Sequence, residues 1–410
     1  MTTSANKFSV GSPADILGYI PHALGFVPQE SIVLMTVGSK ILGATLRLDL
    51  PNQNFLEFAM HAHGFLKQDR TSDSVIAVIY SDRESDEPGS PPHEELMHCL
   101  ELVLETEGMP IQAAWLVAMG FWRDFYCDEQ CCPWPGQPVT DAMDSKLNAE
   151  LIYRGSSYEE SLDAAVVRSV AEPWRNHEAV RSGCETWARA LQSRSMDDEQ
   201  FRAVLSVWEV ALQRSEEAQW IADQSEVAAY LIASLESKDI RDAVLVLAAS
   251  SPENAMEGAR ACNLVKPGPS NSNALIPSAL VGALKTLPLS LRERDHAIGG
   301  RPEELFAAVL IGTTTTPPLW ARLDLAYNLF RLLNAVATGE PQCALLTMLG
   351  WIEWARGRGS RAGGFFDMCL AQDPDYRLAW LLNELLNRGQ LPVWATERES
   401  AWSGHRARAA

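Results

Sequence analysis

The residues of this sequence that most resemble a chemical site are three cysteines within six positions, Cys127, Cys131 and Cys132. Thiolates are preferred ligands of soft metals, so one interpretation is a zinc ion held by these three and by a histidine from elsewhere. The spacing is C-x3-C-C, whereas structural zinc sites usually pair their cysteines as C-x2-C. The alternative is a loop whose cysteines pack beneath neighbouring tryptophan and tyrosine side chains.

Three aspartates near the ends of expected strands form a second candidate site. Asp49 and Asp82 each end such a strand, and Asp124 follows a third. Ligands of parallel sheets bind beyond the carboxyl ends of the strands, so carboxylates gathered there would suit Mg²⁺ and hydrolytic or phosphoryl chemistry. The alternative is that these aspartates cap helices and solvate loops, and Arg47 is placed to pair with Asp49.

Trp351 and Trp354 are three residues apart, so they lie on one face of an expected helix. Beside a groove between helices they would bind an extended peptide or a partner helix, because aromatic residues dominate binding hot spots. The alternative is that both belong to the core of the helix pair.

The elements that must position the aspartates begin at Ser12. A helix capped by Ser12 is expected to end between Pro21 and Gly25, followed by a hairpin of two strands over 31–37 and 41–50. A helix over 55–66 comes next, followed by a continuous apolar run over 74–80, which predicts a strand covered on both faces. A second helix and a strand over 111–119 follow. This order predicts an α/β domain with a mostly parallel, mixed sheet.

The periodicity of the hydrophobic residues changes near position 135, where strand patterns fade and helical stripes begin. The expected domains are an α/β domain at 1–135, a helical domain at 136–265, a helical unit at 274–394 and a tail at 395–410. Prolines, glycine and short polar residues at 266–273 mark the linker between the two helical parts.

The last helices carry the spacing of a tetratricopeptide repeat, from Leu346 through Leu349-Gly350 to Ala362, Phe366 and Pro374. Gly350 would let two helices approach closely, with Ala362 and Phe366 packed small against large. Glu353 stands where the repeat usually has tyrosine, and a leucine replaces its first tryptophan. The second half is therefore expected to be all-α and tetratricopeptide-like.

Charge and hydropathy limit the partners. A net charge of −19 repels nucleic-acid backbones and anionic membranes, although Arg356, Arg358 and Arg361 form a small basic patch. The first residues lack the apolar core of a signal peptide, and no run of about 18 apolar residues could cross a bilayer. We therefore expect a soluble, cytoplasmic protein.

Several segments resemble the domain-of-unknown-function 4192 family, which is found mainly in actinobacteria. They are Pro13–Leu17, Leu24–Ser31, Arg47–Pro51, Cys127–Gly136, Ile240–Asp242 and Leu349–Leu382. The resemblance covers about residues 12–394 and implies a cytoplasmic location. It assigns no activity and no catalytic residue.

The function that these patterns favour is non-enzymatic. The repeat spacing, the acidic charge and the lack of Walker, G-x-G-x-x-G and G-x-S-x-G motifs predict an interaction or scaffold protein whose helical part binds a protein partner. The alternative is a small-ligand- or metal-binding protein, or a hydrolase, with its site at the carboxyl edge of the N-terminal sheet.

Overall fold

The computed structural model describes residues 12–39, 41–83, 91–127, 129, 132, 134–170, 174, 176–194, 196–215, 218–268, 273–282, 301–397 and 399–402. Contacts divide the chain into two compact units, Met1–Ala165 and Val166–Ala410. Each unit is described below by itself.

The first unit combines helices with one sheet. Its elements are α1 (Pro13–Leu24), β1 (Ser31–Gly38), β2 (Ile41–Asp49), α2 (Phe55–Leu66), β3 (Ser74–Tyr80), α3 (Glu94–Thr106), β4 (Ile111–Ala118), β5 (Phe121–Asp124), β6 (Gln137–Pro138), α4 (Val139–Met143) and α5 (Lys146–Tyr153). Helix α6 (Leu162–Val170) contains the boundary of the units. Helix α1 continues through Pro21 and ends at Leu24. The next residue, Gly25, has a positive φ of 83°, the left-handed conformation that glycine adopts easily.

Within the described residues, the sheet has six strands in the order β2-β1-β3-β4-β5-β6. The expected mixed sheet is confirmed, but the expectation that it is mostly parallel is wrong. Only β3 and β4 run parallel among the described pairs, and the other neighbours are antiparallel. The reason is the connection through α2, which leaves the hairpin at β2 and places β3 on the far side of β1. Hydrophobic periodicity identifies strands but does not encode this choice of neighbour.

Helices cover both faces of the sheet. Every residue of β3 is buried, as its continuous apolar run predicted. Its odd-numbered residues from Val75 to Ile79 pack in a cluster with α2 and α3. Its even-numbered residues from Ile76 to Tyr80 pack in a second cluster with α1 and Ala142 of α4. The strand is therefore the centre of a three-layer unit.

A β-bulge interrupts the hairpin where Thr36 of β1 faces Gly43 and Ala44 of β2. The N–H of Ala44 donates to the Thr36 hydroxyl (2.7 Å) and to the Asp69 carboxylate (3.3 Å). That carboxylate also accepts the hydroxyls of Thr36 (2.5 Å) and Ser72 (2.7 Å). Burial raises the pKa of Asp69, but these hydrogen bonds and those from Thr71 outweigh it and lower the pKa to about 2.

Replacing Asp69 with asparagine should make the first unit less stable at neutral pH but not in strong acid. The carboxylate with a lowered pKa contributes stability above its ordinary pKa of 3.8, and the contribution is lost as the pH falls through about 2. Because the side chain is partly exposed, we expect a loss of about 1 kcal/mol at pH 7. Urea unfolding of both proteins at pH 7 and pH 2 checks this. A difference of equal size at the two pH values would contradict it.

The second unit is helical in its described residues. Its elements are α7 (His177–Ser193), α8 (Asp198–Arg214), α9 (Ala218–Asp223), α10 (Ser225–Ser234), α11 (Lys238–Ala249), α12 (Pro252–Ala261), a 3-10 turn (Ser278–Leu280), α13 (Pro302–Leu310), α14 (Trp320–Asn334), α15 (Glu340–Ala355), α16 (Gly359–Gln372), α17 (Arg377–Asn387) and α18 (Val393–Thr396). None of the helices in the described ranges combines the length and the apolar character needed to span a membrane.

Helix α15 is the centre of the C-terminal part, because almost all of its residues are buried. It packs against α16 where Gly350 meets the ring of Phe366. A Cβ added at Gly350 would come within 2.4 Å of that ring, and Ala362 beside it is fully buried. The close approach that the sequence predicted is therefore present.

Candidate functional site

Asp49 and Asp82 lie at the same end of the sheet, and each already has a local partner. The Asp49 carboxylate pairs with Arg47 of its own strand at 2.7 Å. Asp82 Oδ1 accepts the N–H of Met119 (2.9 Å), and the Asp82 N–H donates to Glu30 (2.8 Å). These contacts hold loops at the strand ends.

Asp124 lies elsewhere, within β5. Its backbone is opposite Trp115 of β4, four residues before the Met119 that contacts Asp82. At about 3.3 Å per residue, this separates Asp124 from Asp82 by roughly 13 Å along the strands. Its carboxylate accepts the N–H groups of Tyr126 (3.0 Å) and Cys127 (3.1 Å), and so holds a turn. The three aspartates therefore do not form one site, and no metal-binding group of histidine, cysteine, aspartate or glutamate occurs among the described residues.

The cysteine cluster is only partly described, because Cys131 lies outside the described residues. Cys127 and Cys132 are both half-buried. The carbonyl of Cys127 accepts a hydrogen bond from the Arg123 guanidinium, and the N–H of Cys132 donates to the carbonyl of Glu129 at 3.0 Å. Zinc binding by all three cysteines stays a prediction.

Trp351 and Trp354 are buried, with exposed fractions of 0% and 1%. Each indole N–H has a backbone acceptor, the carbonyl of Leu310 (2.8 Å) for Trp351 and that of Gln390 (3.0 Å) for Trp354. A buried, satisfied indole offers no surface to a partner. The core alternative therefore replaces the partner-binding interpretation of these two residues.

The basic patch that the sequence indicated surrounds Glu353, which is fully buried. The Glu353 carboxylate contacts Arg356 at 2.8 Å, Arg361 at 3.6 Å and Arg358 at 3.7 Å. Burial alone would raise the pKa of Glu353, but the three guanidinium groups outweigh it and hold that pKa below its ordinary value. Three cations around one carboxylate make an internal ion cluster rather than an open anion site.

Aromatic side chains and a second carboxylate complete this ion cluster. Arg356 donates to Asp324 of α14 at 2.6 Å, and its guanidinium lies 4.7 Å from the ring centre of Tyr327. Trp402, in the segment expected to be a tail, covers Arg356 and Arg358 at 5.0 and 4.4 Å. The ion cluster therefore ties α14, α15 and the start of α16 together.

Helix α17 carries a surface that sequence reasoning missed. Arg377, Trp380, Leu381, Glu384 and Arg388 follow the spacing i, i+3, i+4, i+7, i+11 and so form one stripe along the helix. Trp380 and Leu381 are 51% and 41% exposed, whereas Ala379 and Leu382 of the same helix are buried. We call these five residues the α17 stripe. In the sequence, this surface is indicated only by the apolar residues of α17, which spread over more than one face of the helix.

The comparisons with known proteins identify a family but no individual protein that matches this chain. The model for a domain of unknown function, DUF4192, matches residues 13–285 and 320–393. No curated protein and no solved structure matches the chain. The two matched ranges together cover most of the 410 residues and include every predicted site residue discussed above. The chain belongs to the DUF4192 family.

Proposed function

We propose that this chain is a protein-interaction or scaffold protein whose helical unit binds an acidic protein segment on the α17 stripe. The observation that carries the proposal is the exposure of Trp380 beside Leu381. Tryptophan is enriched in binding hot spots, and the outer helix of a helical stack usually has a polar outer face. An exposed tryptophan at the centre of such a face is therefore better explained by binding than by folding.

The described chain beyond α17 supports this use of the stripe. It turns back at Gln390, and the following helix α18 places Trp394 against the carbonyl of Ala355 on α15 (3.0 Å). It thus completes the core around Trp354 instead of packing onto Trp380. The tetratricopeptide-like spacing of α15 and α16 is consistent with the same proposal, since repeat units of that kind present helices to partners.

Charge favours an acidic partner. The α17 stripe has two arginines and one glutamate, and Glu384 pairs with Arg388 at 3.4 Å. The stripe is therefore net positive on a chain whose net charge is −19. A segment with aspartates or glutamates around one large apolar side chain would complement Arg377 by charge and Trp380 by contact. The overall negative charge disfavours a nucleic acid as the partner.

Photocrosslinking of the whole 410-residue chain tests the proposal. A photoreactive amino acid in place of Trp380 should capture a protein segment rich in acidic residues, and Arg377→Glu should reduce the yield. The same amino acid in place of Leu102, an exposed apolar residue of α3, is the matched control and should not capture that segment. As a synthetic peptide, the captured segment should bind Trp380→Ala at least about 10-fold more weakly than the unmodified protein.

Three results would overturn the proposal. They are an equal yield at the two positions, a captured segment without acidic residues, and capture of a second copy of this chain alone. A peptide affinity that Trp380→Ala leaves unchanged would count equally against it.

A further inference from the structure

Three side chains of the first unit form a hydrogen-bonded series that the proposed function does not use. His22 lies in the last turn of α1, Asn148 in α5 and Ser156 just after α5. The imidazole Nε2 is 2.8 Å from Asn148 Oδ1, and Nδ1 is 2.9 Å from Ser156 Oγ. Both contacts join residues more than 120 positions apart, so no local sequence motif predicts them.

The direction of these hydrogen bonds follows from the surroundings of Asn148. Its Nδ2 donates to the carbonyl of Met143, so its Oδ1 is the atom that faces the imidazole. Oδ1 can only accept, and His22 must therefore carry its proton on Nε2. Nδ1 then has a free lone pair and accepts the hydroxyl proton of Ser156. This order of serine, histidine and amide has the logic of an activated serine nucleophile.

Packing holds His22 as a neutral base. Its side chain is buried, the Tyr158 ring meets it edge-on at 4.8 Å, and Ser145 caps α5 by accepting the N–H of Asn148 at 3.2 Å. Burial lowers the pKa of His22, and the hydrogen bond to Asn148 opposes that shift without reversing it. The imidazole is therefore available to take a proton at neutral pH.

Ser156 is placed differently from the histidine, since it is partly exposed while His22 is buried. It follows Gly155, which has a positive φ of 84° and ends the turn after α5. Nearby on α5, Ile152 and Tyr153 are exposed apolar side chains. Part of Ser156 is therefore open to solvent, and an apolar group on a reagent has surface to contact beside it.

We infer that Ser156 is a nucleophile for acyl transfer from esters with an apolar acyl group, with His22 as general base and Asn148 as a positioning residue. Oγ attacks the carbonyl carbon and its proton moves to His22 Nδ1. The ester C–O bond then breaks, and the leaving alcohol takes that proton from Nδ1. Water attacks the acyl-serine in the same way and releases the carboxylic acid. This activity would lie in the first unit and is independent of the proposed function of the helical unit.

A fluorophosphonate reports such a serine directly. Oγ attacks phosphorus, the P–F bond breaks as the P–O bond forms, fluoride leaves, and the proton passes through Nδ1 to water. With the whole 410-residue chain, mass spectrometry should locate the adduct on Ser156. Ser157→Ala, which changes the exposed neighbouring serine, should label like the unmodified protein. Ser156→Ala should lose the label, and His22→Gln should slow labelling by about 100-fold or more.

The pH dependence separates catalysis from a purely structural link between α1 and α5. Asn148→Asp places a carboxylate at the imidazole and raises the pKa of His22, so the rise of the labelling rate should move to higher pH. Circular dichroism of each variant controls for folding. The inference would be overturned if Ser156 of the unmodified protein were labelled no faster than Ser157. If the pH dependence of the labelling rate were not shifted in Asn148→Asp, Asn148 would not be a positioning residue of this site.

Discussion

Replacing Glu353 with glutamine should destabilise the second unit by about 3–5 kcal/mol, the cost of removing one partner from a buried ion pair. Glutamine keeps the size of the side chain but removes its charge. Arg356 would retain Asp324, whereas Arg358 and Arg361 would lose the buried carboxylate that they share. Urea unfolding followed through tryptophan fluorescence measures the loss, because Trp402 lies on Arg356 and Arg358 of this ion cluster.

Glu384→Gln is the matched control for this change. It removes a carboxylate of the same type from the exposed pair with Arg388, so it should cost less than about 1 kcal/mol. Similar losses for the two variants would show that the burial of Glu353 does not have the energetic effect assigned to it.

The same carboxylate gives the second unit a defined response to acid. Because the pKa of Glu353 is lowered on folding, its contribution is complete above the ordinary value of 4.5 and is lost as the pH falls through the folded value. The difference in stability between the unmodified protein and Glu353→Gln should therefore shrink in acid.

Adding one methyl group at Gly350 should destabilise the protein by about 1–3 kcal/mol, because the new Cβ would overlap the ring of Phe366. Gly64→Ala in α2 is the contrasting change. A Cβ there meets no atom within 4 Å, and alanine is the better helix former, so that variant should gain up to about 1 kcal/mol. Hydrogen exchange of the amides of α15 and α2 assigns each effect to its helix. Stabilisation by both substitutions would contradict the close contact of α15 with α16.

The sequence was informative where a local pattern has one structural solution. The apolar run of β3 predicted a strand buried on both faces, and the structure has it. The spacing of Gly350 and Phe366 predicted a close helix pair, and their contact is present. Both predictions rest on residues within about one supersecondary motif of each other.

The sequence was less informative where the solution depends on distant parts of the chain. Strand β5 has four residues and includes Arg123 and Asp124, so it lacks a periodic signal. Helix α15 has apolar residues on all of its sides, and no stripe could therefore say whether Trp351 faced a partner or the core. The contact of His22 with Ser156 spans 134 positions. Only folding brings such residues together.

The bulge opposite Thr36 and the shortness of β6 bear on how molecules of this protein behave in concentrated solution. An open sheet edge can recruit a strand from another molecule and seed aggregation. Here the outer strand β2 carries the bulge at Gly43 and Ala44, and a bulge interrupts the regular ladder of an edge strand. The opposite edge has two residues, one of them Pro138, which has no N–H to offer. Both features make the borders of this sheet poorer templates for intermolecular pairing than a long, regular edge strand would be.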